Sequence, residues 1–131
     1  MFLDASAIVA ALAPEPDSSD IIERISNSEL RFTSAIAIWE AGVAIARINR
    51  LQLPTARAVV IEFLAAWDVG LVEIDDAIGS LAFAAFDQFG KGRHPAALNM
   101  GDCFAYACAK SRAVPLMCKG DDFPLTDIAL A

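Results

Sequence analysis

The chain is short of thiols, of basic residues and of long apolar runs, and each shortage closes off a class of function. Cys103, Cys108 and Cys118 are odd in number and include no Cys-x-x-Cys pair. A disulfide framework and a zinc site are therefore not expected. The three read as buried, reduced thiols of a cytoplasmic protein. The longest uncharged runs, Ala5–Pro14 and Ala77–Phe86, have 10 residues each. A spanning helix needs about 20, so no membrane segment is expected. Met1-Phe2-Leu3-Asp4 has no basic stretch and meets an acid at once, which argues against a signal peptide. No Gly-x-x-x-x-Gly-Lys loop is present, which excludes a P-loop nucleotide hydrolase. Ten bases face 17 acids, for a net charge of −7. Spread evenly, that charge would argue against nucleic acid as a ligand. Four acids gathered on metal would leave 13 against 10, and the objection weakens.

What the chain has in plenty is apolar surface. Its 131 residues fit one domain, 1–131, with a single core. Apolar residues make up 56% of it and mean hydropathy is +0.49. With no membrane span to absorb them, the surplus implies a surface covered by a partner.

Short apolar segments alternate with helical patterns. Phe2-Leu3 reads as a buried strand ending in Asp4. Ala5–Ala13 reads as a helix stopped by Pro14 and Pro16, and Asp17 or Ser18 can cap a second helix to about Ser26. Leu30–Thr33 alternates as a strand does. Ser34–Ile48 is a helix apolar on most faces, with Trp39 and Glu40 in its middle. Thr55 opens a helix to about Val69 with Gly70 as its C-cap, followed by a strand at Leu71–Ile74. Asp75 or Asp76 caps a helix to Phe89, ended by Gly90. After a loop at Lys91–Ala97, Asn99-Met100-Gly101-Asp102 opens a helix to about Arg112. Pro115–Cys118 is a strand, and the C-terminus adds a short last one. This order predicts a parallel sheet with helices on both faces.

In open parallel sheets, ligands bind beyond the carboxyl ends of the strands. Asp4 follows the first strand and Asp121 and Asp122 follow the strand at 115–118. Asp102 lies in a helix's first turn, where amide dipoles favour an anion. Glu40 interrupts an apolar helix, and a buried carboxylate is costly unless paired or bound to a cation. Each also has an ordinary explanation. Asp4 fits a helix cap, Asp102 an N-terminal helix acid, Glu40 an ion-pair partner of Arg47, and Asp121 and Asp122 loop acids. Capping accounts better for Asp75 and Asp76. Trp39 and Trp67 lie in apolar helical patterns and are expected in the core.

Together, Met1-Phe2-Leu3-Asp4-Ala5-Ser6-Ala7, Trp39-Glu40, Asn99-Met100-Gly101-Asp102-Cys103 and Lys119-Gly120-Asp121-Asp122-Phe123 resemble the PIN-domain family. The closer resemblance is to VapC-type toxins of bacterial toxin–antitoxin pairs. Gly90-Lys91-Gly92-Arg93-His94 and Thr126-Asp127-Ile128 are similar to signatures of one VapC subgroup. The resemblance covers essentially the whole chain. It implies a three-layer α/β/α sandwich with a mainly parallel central sheet and a Mg²⁺- or Mn²⁺-dependent endoribonuclease site. It also implies a cognate antitoxin protein that covers the site, and commonly a homodimer. The family's first, second and third carboxylates match Asp4, Glu40 and Asp102, and Ser6 matches a small hydroxyl residue that supports the first. Many members place an acid two residues before the final Asp-Phe. Gly120 stands there, so the fourth role passes to Asp122, with Asp121 as substitute.

The implied chemistry suits these residue types. Phosphodiester hydrolysis needs a nucleophile from water and relief of phosphate charge, and metal ions supply both. Mg²⁺ prefers hard oxygen ligands, which Asp and Glu provide. Asp4 and Asp102 would bind metal directly, and Glu40 and Asp122 would bind through water or orient the attacking one. Lys91, Arg93 and His94, with Lys119, are candidates for holding RNA phosphates. The rival is a non-catalytic PIN-like interaction domain. A phosphoryl-acceptor domain using Asp75 and Asp76 fails because it needs its acid pair after the first strand.

Overall fold

The computed structural model describes residues 1–13 and 18–131. The expected helix stop at Pro14 and Pro16 and the capping choice of Asp17 lie outside the described residues. The order is β1 (Phe2–Leu3), α1 (Ala5–Leu12), α2 (Ser18–Ser26), β2 (Phe32–Ser34), α3 (Ala35–Asn49), α4 (Leu53–Ala66), β3 (Gly70–Val72), α5 (Asp76–Phe89), α6 (Met100–Ser111) and β4 (Leu116–Met117). A short 3-10 helix follows at Phe123–Leu125.

The four strands form a parallel sheet in the order β3-β2-β1-β4. Phe2 stands opposite Phe32 on one side and Leu116 on the other. The expected last strand is a single parallel bridge from Leu116 to Leu130. Successive strand side chains point to opposite faces, and two cores result. Phe2, Val72 and Leu116 join Ile78, Phe89 and Leu98 beneath α5 and α6. Leu3 and Met117 join Ile8, Ile25, Ile45 and Val60 beneath α1 to α4. Helices thus cover both faces of the sheet, giving the expected three layers.

Several boundaries differ from the sequence expectation for local reasons. Leu30 and Arg31 precede β2, and the Arg31 side chain serves as a clasp. Its Nε donates to Ile25 O at 2.7 Å, Nη1 to Trp67 O at 3.0 Å and Nη2 to Ser26 O at 3.2 Å. These bonds satisfy last-turn carbonyls of α2 and a carbonyl just past α4. Helix α4 begins at Leu53, with Pro54 in its first turn, where its missing N–H costs nothing. It ends at Ala66, and Asp68 takes the left-handed conformation at φ 50°. Gly70 is therefore not a C-cap; it is the first residue of β3 and pairs with Phe32. Trp39 is 68% exposed rather than in the core, on the open flank of α3 beside Val43, Leu53 and Leu71. Trp67 is half-buried against the second core, as expected.

The C-terminal segment is latched to α6. Tyr106 donates its hydroxyl to Asp127 Oδ1 at 2.5 Å, and Lys110 Nζ pairs with Asp127 Oδ2 at 3.0 Å. Thr126-Asp127-Ile128 thus has a structural task.

Candidate functional site

Asp4 ends β1, and its backbone N–H donates to Met117 O of β4 at 3.0 Å. It caps α1, as its ordinary explanation required. Ser6 N and Ser6 Oγ both donate to Asp4 Oδ2, at 3.0 and 2.5 Å. Ser6 Oγ in turn accepts the backbone N–H of Lys119 at 2.9 Å. Asp4 is only 4% exposed and stands where the neighbouring strands β1 and β4 end.

Asp102 also satisfies its ordinary explanation. It forms a capping box in which Asn99 N donates to Asp102 Oδ2 at 2.8 Å and Asp102 N donates to Asn99 Oδ1 at 3.1 Å. Glu40 stands partly buried in the middle of α3. It makes no ion pair with Arg47: among the described residues the ion pairs are Arg93–Asp87 and Lys110–Asp127. Its carboxylate rests instead against Gly101. A Cβ built there would fall 2.1 Å from Glu40 Oε1. A cleft of about 330 Å³ opens here, lined by Ser6, Val9, Glu40, Ala44 and Lys119. Asp121 and Asp122 lie exposed in the loop after β4. Asp122 begins the 3-10 helix without spending its side chain on a cap.

The acids lie within one another's field. Burial, then the charges of Asp4 and Asp102, push the Glu40 carboxyl up to about 7. Burial pushes Asp102 up to about 6, against the opposing bond from Asn99 N, with Asp4 and Asp122 adding to the rise. Among the described residues, no three His, Cys, Asp or Glu side chains are already gathered round a common point. The acids face one another without closing.

The donor set fits a hard divalent cation. Its atoms are carboxylate oxygens, and the burial and mutual repulsion that raise Glu40 and Asp102 are costs a bound cation would offset. The neighbouring thiols offer no competition. Burial, aided by Asp102, pushes Cys103 up to about 11, and burial with the nearby acids does the same to Cys118. Both stay protonated and are poor ligands for a soft metal.

The basic loop is not joined to this cluster by any direct bond among the described residues. Arg93 Nη1 pairs with Asp87 Oδ1 at 2.8 Å, and its guanidinium lies over Phe86. His94 Nδ1 accepts from Ala96 N at 3.1 Å, and its ring meets Phe89 edge-on. His94 thus shapes its own loop. Sequence reasoning overlooked Gly101 and Asn99 as partners of the acids. For Gly101 a signal existed: a poor helix former set inside the first turn, next to a candidate ligand.

A family model described as PIN domain matches residues 1–129. The chain is 38% identical over 129 residues to the Ribonuclease VapC of Mycolicibacterium smegmatis, covering 98% of each. Among solved structures, the fold matches Mycobacterium tuberculosis VapC20, described as a sarcin-ricin loop cleaving toxin, with a TM-score of 0.79. That match covers 99% of this chain and 97% of the other at 11% identity. A toxin–antitoxin complex from Klebsiella pneumoniae matches with a TM-score of 0.70 at 14% identity, covering 99% and 95%. At such identities the solved structures speak for the fold alone.

Proposed function

The chain belongs to the PIN-domain family, and from that premise we propose that it is a metal-dependent endoribonuclease, the toxin of a toxin–antitoxin pair. The relative named Ribonuclease VapC, matched end to end at 38% identity, supports the activity. One structural observation carries the site. Asp4 is aligned by Met117 of β4, whose following loop carries Asp122, and Glu40 of α3 rests its carboxylate against Gly101, the neighbour of Asp102 in α6. Parallel strands place ligand sites beyond their carboxyl ends, where Asp4 and Asp122 stand.

Asp4 and Asp102 would hold Mg²⁺ or Mn²⁺ directly, with Glu40 and Asp122 reaching it through water. When bound, the ion would lower the pKa of water toward neutrality and neutralise charge on the phosphate. The protein's part is positional. Ser6 fixes Asp4 by two bonds on Oδ2. Asn99 fixes Asp102 by its backbone N–H. Glu40, resting its carboxylate beside the first turn of α6, would hold a water or take up its proton there. Asp122 takes the fourth role, with Asp121 as substitute; the Asp122 side chain is not spent on capping the 3-10 helix.

The substrate proposed is RNA, and the inhibitor a cognate antitoxin protein. The Klebsiella toxin–antitoxin complex supports such a partner. So do apolar side chains left exposed on two faces, Trp39, Leu53 and Leu71 on one and Phe83 and Met100 on another. A homodimer would cover such a face too. Among the described residues no helix is long and apolar enough to cross a membrane. We place the activity in the cytoplasm and assign it to a single domain, 1–131.

The non-catalytic interaction domain stands as a second reading, favoured by the open spacing of the acids and by Gly120 in place of an acid. One experiment separates the two. The purified, partner-free chain is incubated with structured RNAs in Mg²⁺, Mn²⁺ or EDTA, beside Asp102→Asn. Metal-dependent cleavage lost in the variant supports the nuclease. Equal cleavage by both proteins points to contamination, and no cleavage by either favours the interaction domain.

A further inference from the structure

We infer that Gly101 is a positioning residue for Glu40, its missing side chain being the seat in which the Glu40 carboxylate rests beside Asp102. The inference rests on the proposed reading of the acids as a metal site.

Three glycines lie inside helices, and Gly101 differs from the other two. A Cβ at Gly79 of α5 would meet nothing within 4 Å, and one at Gly42 of α3 would make ordinary contact at 3.9 Å from Arg57 Cα. A Cβ at Gly101 would stand 2.1 Å from Glu40 Oε1, 2.5 Å from Oε2 and 2.6 Å from Cδ. Real Cβ atoms essentially never come under 3.0 Å. Backbone conformation does not explain this glycine, because the positive-φ glycines are Gly92 and Gly120. Helix propensity does not explain it either, since glycine is the poorest helix former short of proline. What remains is room.

The blocked atoms belong to the free end of a flexible side chain. An alanine at 101 would therefore swing the Glu40 carboxylate away rather than break α6. The seat also lies in the first turn of a 12-residue helix, where backbone amides favour an anion. Gly101 thus acts at the site through Glu40 and touches no reacting atom itself.

The test is a double-variant cycle on the whole chain: the parent, Gly101→Ala, Glu40→Ala and the pair. Mn²⁺ affinity is measured by calorimetry and melting temperature without metal. Gly101→Ala is expected to weaken Mn²⁺ binding as much as Glu40→Ala does, by roughly 10-fold or more. The pair should bind no more weakly than either single variant. In the Glu40→Ala background, alanine at 101 has open space and should raise the melting temperature. A Gly101→Ala protein that folds only when Glu40 is also alanine would show the same seat with less freedom, and supports the inference. Parent-like Mn²⁺ affinity in Gly101→Ala, beside a loss in Glu40→Ala, overturns it and leaves the nuclease reading intact. Additive losses, or unfolding in both backgrounds, overturn it as well. If Asp4→Asn and Asp102→Asn also bind Mn²⁺ like the parent, the metal reading itself fails and the inference falls with it.

Discussion

Ser6 Oγ gives its hydrogen to Asp4 Oδ2 at 2.5 Å while Oγ itself accepts from the loop after β4, through Lys119 N at 2.9 Å. One small side chain thereby ties Asp4 to the segment that carries Asp121 and Asp122. Ser6→Ala removes both bonds and leaves one backbone amide to find water. We expect a loss of about 1 kcal/mol in stability and roughly a 10-fold weaker hold on Mn²⁺. Chemical denaturation and calorimetry check the two effects; an unchanged Mn²⁺ affinity removes Ser6 from the site.

The raised carboxyls make metal-free stability depend on pH in a definite direction. Folded Glu40 and Asp102 titrate near 7 and 6, above their ordinary 4.5 and 3.8. The folded state then binds more protons than the unfolded one, and stability falls as pH rises. The contribution is complete below about pH 4 and is lost on passing pH 6 to 7. After discounting for the partial exposure of both groups, the loss is on the order of 1–2 kcal/mol. Thermal melts in EDTA from pH 4.5 to 8 test this. A stability that climbs across pH 5–7 contradicts the acid cluster.

Removing one charge should act like lowering the pH. Asp4→Asn keeps a helix-capping side chain but lifts repulsion from Glu40 and Asp102. In EDTA it should melt above the parent; with metal the order should reverse. Mg²⁺ at a hundred times its dissociation constant should stabilise the parent by about 2.7 kcal/mol and the variant by less. A variant that melts below the parent without metal would sink the cluster picture.

Arg93 is held by Asp87 rather than by the acids. If it meets RNA, its carboxylate partner restrains it. Arg93→Glu should weaken RNA binding and lower the slope of log affinity against log salt by about one. Asp87→Asn should move binding the other way. Filter binding across a salt series with the Asp102→Asn protein reads both; equal slopes for all three remove Arg93 from the interface.

The Tyr106–Asp127 latch carries stability rather than chemistry. Burial and the bond to Asp127 both push the phenol up, so it donates at any ordinary pH. Tyr106→Phe should cost about 1–2 kcal/mol by urea denaturation and leave Mn²⁺ affinity as it was.

Much of this molecule could be read from its sequence because apolar periods and acid placement carry the signal. Asp4 after a strand, Glu40 within an apolar helix and Asp102 in a first turn were each legible as local anomalies. The seat of Glu40 against Gly101 was not, since it arises from packing α3 against α6. The errors share one cause. Gly70 looked like a C-cap because glycine usually supplies the left-handed residue, yet Asp68 supplies it here. Trp39 looked like core because its neighbours in sequence are apolar, but its side of α3 faces no other layer. Leu30-Arg31 looked like strand because alternation cannot reveal that Arg31 reaches carbonyls near residues 25 and 67. Such long-range bonds leave no local pattern.

The parallel pairing of β1 with β4 also has a bearing on when this protein becomes active during its own synthesis. Asp4 is aligned by a bond to Met117, and Asp122, the proposed fourth acid, lies five residues further on. At 5–20 residues per second, the ribosome needs on the order of ten seconds to make the stretch between them. Throughout that interval the growing chain carries its first carboxylate without the strand that orients it. A site of this topology cannot assemble on a half-made chain. If the product cuts RNA, the message and the ribosome that make it are beyond its reach until the strand at Leu116–Met117 and the loop after it have been made.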